Sequence, residues 1–96
     1  MPIDKRTSIH LAELFSALSD PTRLAIISAL LEGEMNVGEI AAGIAISESA
    51  VSHQLRGLRQ MRLVRPRKQG RQVFYCLDDA HVAQLFQMGL EHVIHG

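Results

Sequence analysis

Ser47-Glu48-Ser49-Ala50-Val51-Ser52-His53-Gln54-Leu55-Arg56 is the stretch whose reading decides the fold. Val51 and Leu55 stand four apart, and Leu58 and Met61 continue the stripe, so one helix face turns inward. Ser47 stands where an N-cap accepts a backbone N–H. The remaining early positions are short and polar, which suits a helix whose first residues meet base edges in a major groove. Just upstream, Asn36 with Glu39 three residues on predicts a capping box opening a short helix. Val37, Ile40 and Ala41 are its inner face, and Gly43 is expected to end it. A short helix, a tight turn and a longer helix read as a helix-turn-helix. Any helix pair with a glycine turn imitates that motif, so the surroundings must decide.

Downstream the charge is uneven. The chain is neutral overall, yet seven of its ten basic residues are Arg56, Arg59, Arg62, Arg65, Arg67, Lys68 and Arg71, with no acid between Glu48 and Asp78. Such a block is an electrostatic footprint for a polyanion, with a merely solvated basic face as the plain alternative. The period also changes from helical to strand-like. Leu63 to Lys68 is a strand that Pro66 confines to an edge. Gln69-Gly70 is a turn, and Arg71 to Leu77 a second strand. The basic hairpin then reads as a wing along the phosphate backbone. Ser47, Ser49, Ser52, His53 and Gln54 are expected on the base edges, and Arg56, Arg67, Lys68 and Arg71 among the DNA-contacting cations.

Outward from this centre, a first helix is expected over Asp4 to Leu18. Ser19-Asp20-Pro21 closes it and opens a second, with Leu24, Ile27, Leu30 and Leu31 inside. Asp78-Asp79 caps a last helix running to about His95. The expected architecture is mainly α with a small β-hairpin, a winged helix-turn-helix in the order α-α-α-α-β-β-α, as a single domain over 1–96. At 47% hydrophobic and 21% charged residues the composition excludes intrinsic disorder. A chain of this length buries only about 60–65% of its unfolded surface, so a homodimer is expected to supply the rest. Few aromatics and no Trp argue against a stacking surface for single strands. The lone Cys76 excludes a disulfide framework or a Cys-rich finger and is expected to be a buried structural thiol. No apolar run is long enough to span a membrane, and no signal peptide is expected.

The last helix carries His81, His92 and His95, with Asp79 at its start, all side chains of the zinc-ligand type. His81 and His92 share a face but lie about 16 Å apart at ~1.5 Å rise per residue, too far for one ion. His92 and His95 chelate together, and Asp79 converges with His81 if it is the non-helical cap. The helix therefore holds two half-sites. An antiparallel copy would complete two identical four-ligand sites by two-fold symmetry. Surface histidines near a chain end are the plain alternative. His10 reads as ordinary surface.

The chain resembles the ArsR/SmtB metal-sensing repressors of bacteria. The likeness rests on Leu18-Ser19-Asp20-Pro21-Thr22-Arg23-Leu24, on Ser49-Ala50-Val51-Ser52-His53-Gln54-Leu55 and on Gln69-Gly70-Arg71-Gln72-Val73-Phe74-Tyr75. The resemblance implies a bacterial, cytoplasmic winged-helix homodimer that represses from operator DNA and lets go on binding its effector. The family's zinc- and cobalt-type sensors carry Asp-x-His, ten residues, then His-x-x-His or His-x-x-Glu on the last helix. Asp79-Ala80-His81 and His92-Val93-Ile94-His95 match that pattern. The implied effector is Zn(II), with Co(II) or Ni(II) also accommodated by this donor set. The thiols of the family's arsenic, cadmium and lead sensors are missing from Glu34-Met35-Asn36-Val37-Gly38-Glu39. The expected coupling runs from the second ring N–H of His92 to a backbone carbonyl near Met61 to Leu63. A rival reading is a regulator of the same family sensing a redox state or a partner protein, with incidental histidines. An enzyme is not expected: the four ligands leave no open position and no general base stands nearby.

Overall fold

A computed structural model describes residues 2–96. Its elements are α1 (Lys5–Ala17), α2 (Pro21–Leu30), β1 (Met35–Asn36), α3 (Val37–Ile44), α4 (Glu48–Gln60), β2 (Val64–Gln69), β3 (Gln72–Leu77) and α5 (Ala80–His95). The expected order holds, with one addition. β1 joins the hairpin to make a three-stranded antiparallel sheet in the order β1-β3-β2. Two residues are too few to show a strand period, so nothing in the sequence announced it.

Every helix starts on a side chain that takes up an otherwise unpaired N–H. Asp4 accepts from Thr7, Asp20 from Arg23 ahead of Pro21, and Ser47 from Ala50 at 3.0 Å. The capping box forms as read. Glu39 N–H donates to Asn36 Oδ1 at 2.8 Å, and Asn36 N–H donates to Glu39 Oε1 at 2.9 Å. Caps of this kind are worth about 1 kcal/mol each.

The end of α3 differs from expectation. Gly43 does not close its helix, which runs on to Ile44; Ala45 makes the left-handed turn at φ 59° instead. Ile46 N–H then reaches back to the Ala41 carbonyl at 3.2 Å. Arg62 does the same after α4, at φ 58°, with Leu63 N–H on the Leu58 carbonyl at 2.9 Å. Both positions normally favour glycine, so for α3 the sequence pointed to the wrong residue. In α2, Ile26 is buried where Leu24 was expected, and Leu24 lies exposed. Arg71 falls in the turn and not in the second strand.

The core is drawn from the middle of the chain. Ile26, Ile27 and Leu30 of α2 meet Ile40 and Ala41 of α3, and Val51, Leu55 and Leu58 of α4. Leu63 and Val64 close it from the sheet side. Pro66 lies opposite Tyr75 on the edge strand β2, as its missing N–H requires. The two outer helices contribute little: Ala17 is the one buried residue of α1 and Val82 that of α5. Ile9, Leu11 and Phe15 of α1 and Met88, Leu90, Val93 and Ile94 of α5 are exposed, Val93 at 82%. The protomer presents 6899 Å² of surface, against about 5,500 Å² for a compact monomer of its mass. Its radius of gyration is 14.2 Å where ~12.5 Å is usual for this length.

Candidate functional site

The start of α4 stands clear of the core. Ser47, Ser49, His53 and Arg56 are exposed and Ser52 is half-buried, while Val51 and Leu55 anchor the opposite face. Gln54 is placed differently from expectation. It is half-buried, and its Oε1 accepts from Arg23 Nε at 2.9 Å. Arg23 Nη1 also donates to the Ala17 carbonyl at 3.1 Å. One guanidinium thus joins the end of α1, the start of α2 and the reading face of α4. The Gln54 amide is thus oriented through its oxygen, and its N–H groups are not used in this bond.

On the wing, Lys68 and Arg71 are exposed and carry no ion pair among the described residues. Arg67, expected among the DNA-contacting cations, is paired within the chain. Its Nε and Nη2 embrace Glu34, with Nη2 2.7 Å and Nε 2.8 Å from the two carboxylate oxygens. Nη2 also donates to Gln69 Oε1 at 3.0 Å, and the guanidinium lies 5.4 Å from the Phe74 ring centre. The Arg67 hydrogen bonds hold the Glu34 carboxyl below its ordinary range, and Glu34 in turn raises Arg67. Sequence reasoning missed Glu34 because only the sheet register brings the segment before β1 beside β2.

The metal-type side chains all lie on α5 or its cap, exposed. Asp79 is the non-helical cap, at φ −158°, and its Oδ1 accepts from the N–H of His81 at 2.8 Å and of Val82 at 3.3 Å. His81 Nδ1 stands 3.4 Å from the same oxygen. Desolvation pushes the Asp79 carboxyl up, but the hydrogen bonds from His81 and Val82 outweigh it and leave it below its ordinary value. His92 and His95 occupy the last turn. Among the described residues no three metal-type donors gather in one place.

The expected bond from the His92 ring to the Met61–Leu63 carbonyls does not occur within the chain. Asp78 N–H takes the Leu63 carbonyl instead, at 3.0 Å, and the Asp78 carbonyl accepts from Arg65 Nη1 at 2.9 Å. The residue before the Asp79 cap is therefore clamped directly to the junction of α4 and β2. Cys76 is half-buried, its Sγ 3.9 Å from the Arg65 carbonyl.

The family model for bacterial regulatory proteins of the arsR family matches residues 20–65, from the α2 cap through the helix-turn-helix into β2. The chain is 40% identical over 94 residues to the transcriptional regulator NmtR of Mycobacterium tuberculosis, which covers 98% of this chain and 78% of that protein. The chain belongs to the ArsR family. It is also 52% identical over 84 residues to the transcriptional repressor SmtB homolog of Synechocystis, covering 88% of this chain but only 64% of that protein's length. The solution structure of apo-NmtR superposes on this ArsR-family chain with a TM-score of 0.84, covering all of it and 81% of NmtR at 40% identity. The homodimeric winged helix-turn-helix DNA-binding domain of a Mycobacterium bovis regulator does so at 0.84 and 28% identity, covering 99% and 94%. ArsR-family proteins are transcriptional regulators, and this chain is one of them and not an enzyme. Among the described residues no helix is long and apolar enough to cross a membrane.

Proposed function

We propose that the chain is a metal-responsive repressor acting as one 96-residue unit. Metal-free, it holds operator DNA as a homodimer. It lets go when Zn(II), Co(II) or Ni(II) binds between the α5 helices of the two protomers. One observation carries this reading. Asp79 with His81 and His92 with His95 stand exposed at opposite ends of a helix whose Leu90, Val93 and Ile94 are uncovered. Two donors at each end leave a site half-made in one chain, and a second α5 running antiparallel supplies the other half. Three imidazoles and a carboxylate suit these borderline ions. The surface in excess of a compact monomer, about 1,400 Å² per protomer, exceeds the ~800 Å² that a standard interface takes from each partner.

On the DNA side, Ser47, Ser49, Ser52, His53 and Gln54 face the base edges, with Arg56, Lys68 and Arg71 on phosphates. The Asp78 clamp supports a route for the response. A metal that draws Asp79 toward a second protomer pulls on Leu63 and Arg65, and so on the angle between α4 and the wing. Metal and operator then oppose each other by the same factor, ~5–150-fold.

Subunit mixing tests the site. One variant carries Asp79→Ala and His81→Ala, the other His92→Ala and His95→Ala. Each alone is expected to lose tight zinc binding. Mixed dimers regain one complete site, seen as recovered zinc uptake and as cobalt absorption bands. Tight binding by either variant alone, or no recovery on mixing, means the site does not bridge protomers. Zinc that leaves operator affinity unchanged in the parent protein overturns the repressor switch.

A further inference from the structure

We infer that Glu34 is a positioning residue that takes Arg67 out of the wing's phosphate-binding charge, so that the wing's outer end presents Lys68 and Arg71, with Arg65 at its base turned to the Asp78 carbonyl. This rests on the reading that the wing lies along the DNA backbone.

Three observations converge on it. The pair is two-pronged, with both carboxylate oxygens engaged by Nε and Nη2 at 2.7 to 3.0 Å. A fork-to-fork pair is stronger and more directional than a single contact. The guanidinium is further fixed by Gln69 and by the Phe74 ring, Phe74 being directly opposite Arg67 in the β2–β3 register. Finally, the partner of Phe74 on its other side is Asn36 of β1, two residues beyond Glu34. The three-stranded register thus leaves β3 between the two residues, and the carboxylate and the guanidinium meet by reaching across it on the Phe74 side.

The consequence is one of charge counting. Salt dependence of DNA binding reports how many phosphates are neutralised, at about 0.9 of slope for each. Among the described residues only Nη1 of the Arg67 guanidinium has no hydrogen-bond partner. A phosphate approaching it meets a guanidinium already neutralised by Glu34, so the pair adds little to counterion release. Lys68 and Arg71 have no such acid beside them. Glu34 therefore sets the wing's non-specific affinity below what its four cations would give, while the same pair fixes β2 against the segment that leads into α3.

The test is a salt titration of the full chain on a fluorescent duplex of random sequence, followed by anisotropy. Glu34→Gln is expected to tighten binding several-fold at low salt and to steepen the slope by about 0.9, one extra phosphate. Its affinity then falls about 3.5-fold more than that of the parent between 50 and 200 mM salt. Glu34→Ala should behave alike. Arg67→Ala is expected to leave the slope unchanged, and the double variant Glu34→Gln with Arg67→Ala to return it to the parent value. A slope flattened by a full unit on Arg67→Ala alone, or unchanged in both Glu34 variants, overturns the proposal. Lys68→Ala and Arg71→Ala test the underlying reading separately. If neither flattens the slope, the wing does not contact phosphate at all.

Discussion

The reading helix α4 and the last helix α5 are of similar length, and their fates in the protomer are opposite. α4 buries Val51, Leu55 and Leu58 in a core shared with α2 and α3. α5 buries Val82 alone and leaves Met88, Leu90, Val93 and Ile94 to solvent. Apolar residues cost little to expose one by one, but Leu90, Val93 and Ile94 fall on one side of the helix and are uncovered together. The lesson is that one protomer completes its DNA-reading half and not its outer half. The helix that bears the metal-type residues is also the helix with uncovered apolar residues, so under the proposed function oligomerisation and sensing fall on one element.

Substitutions in the two helices should separate their roles. The largest effect is expected from Leu90→Glu with Ile94→Glu, one turn apart on α5. Unpaired charge in an interface costs ~3–5 kcal/mol, so the dimer should dissociate at least about 100-fold more readily in sedimentation velocity, with the protomer's helical content kept. A dimer unchanged by this pair would place the joint elsewhere. Next comes Leu55→Ala in the complete core. It should lower stability by ~2–5 kcal/mol in urea unfolding, leaving the concentration dependence of the midpoint as in the parent.

A smaller loss, ~1–2 kcal/mol, is expected for Arg23→Met, which removes a charged donor from Gln54 and from the Ala17 carbonyl. Its distinctive readout is the ratio of operator to random-sequence affinity, which should fall while the random-sequence affinity holds. An unaltered ratio would make Arg23 a brace for the helices only. The smallest effect should come from Ala45→Gly, which relieves the left-handed turn between α3 and α4. A gain of about 0.5–1 kcal/mol is expected in thermal unfolding, and a loss would show that the Ala45 methyl packs.

What the sequence made legible was whatever depends on local pattern. The caps at Asn36, Ser47 and Asp79, the stripe of α4 and the edge strand at Pro66 all formed as read. What it hid depends on the third dimension. β1 exists only because β3 is there to pair with it, and Glu34 meets Arg67 only through that pairing. Gly43 misled because the turn it seemed to mark was taken by a strained alanine two residues on. That His81 and His92 lie far apart was readable from spacing alone, since eleven residues of helix fix a separation whatever the tertiary fold. The clamp at Asp78 was not, because backbone carbonyls carry no sequence signature.

Asp79 brings one further consequence. As the cap of α5 its carboxylate is pinned by two N–H groups on Oδ1, and no hydrogen bond engages Oδ2. Under the proposed bridging site, an arriving ion finds that side chain with its rotamer already settled. It need not freeze a wandering aspartate, an entropic cost of about 0.5–1.5 kcal/mol for a mobile side chain. His92 and His95, in the last turn of α5, have no cap of this kind on their side chains. Under the same proposal the two ends of the helix differ as docks: the amino-terminal end offers a carboxylate already held, and the carboxy-terminal end offers two imidazoles whose rotamers the ion itself must settle.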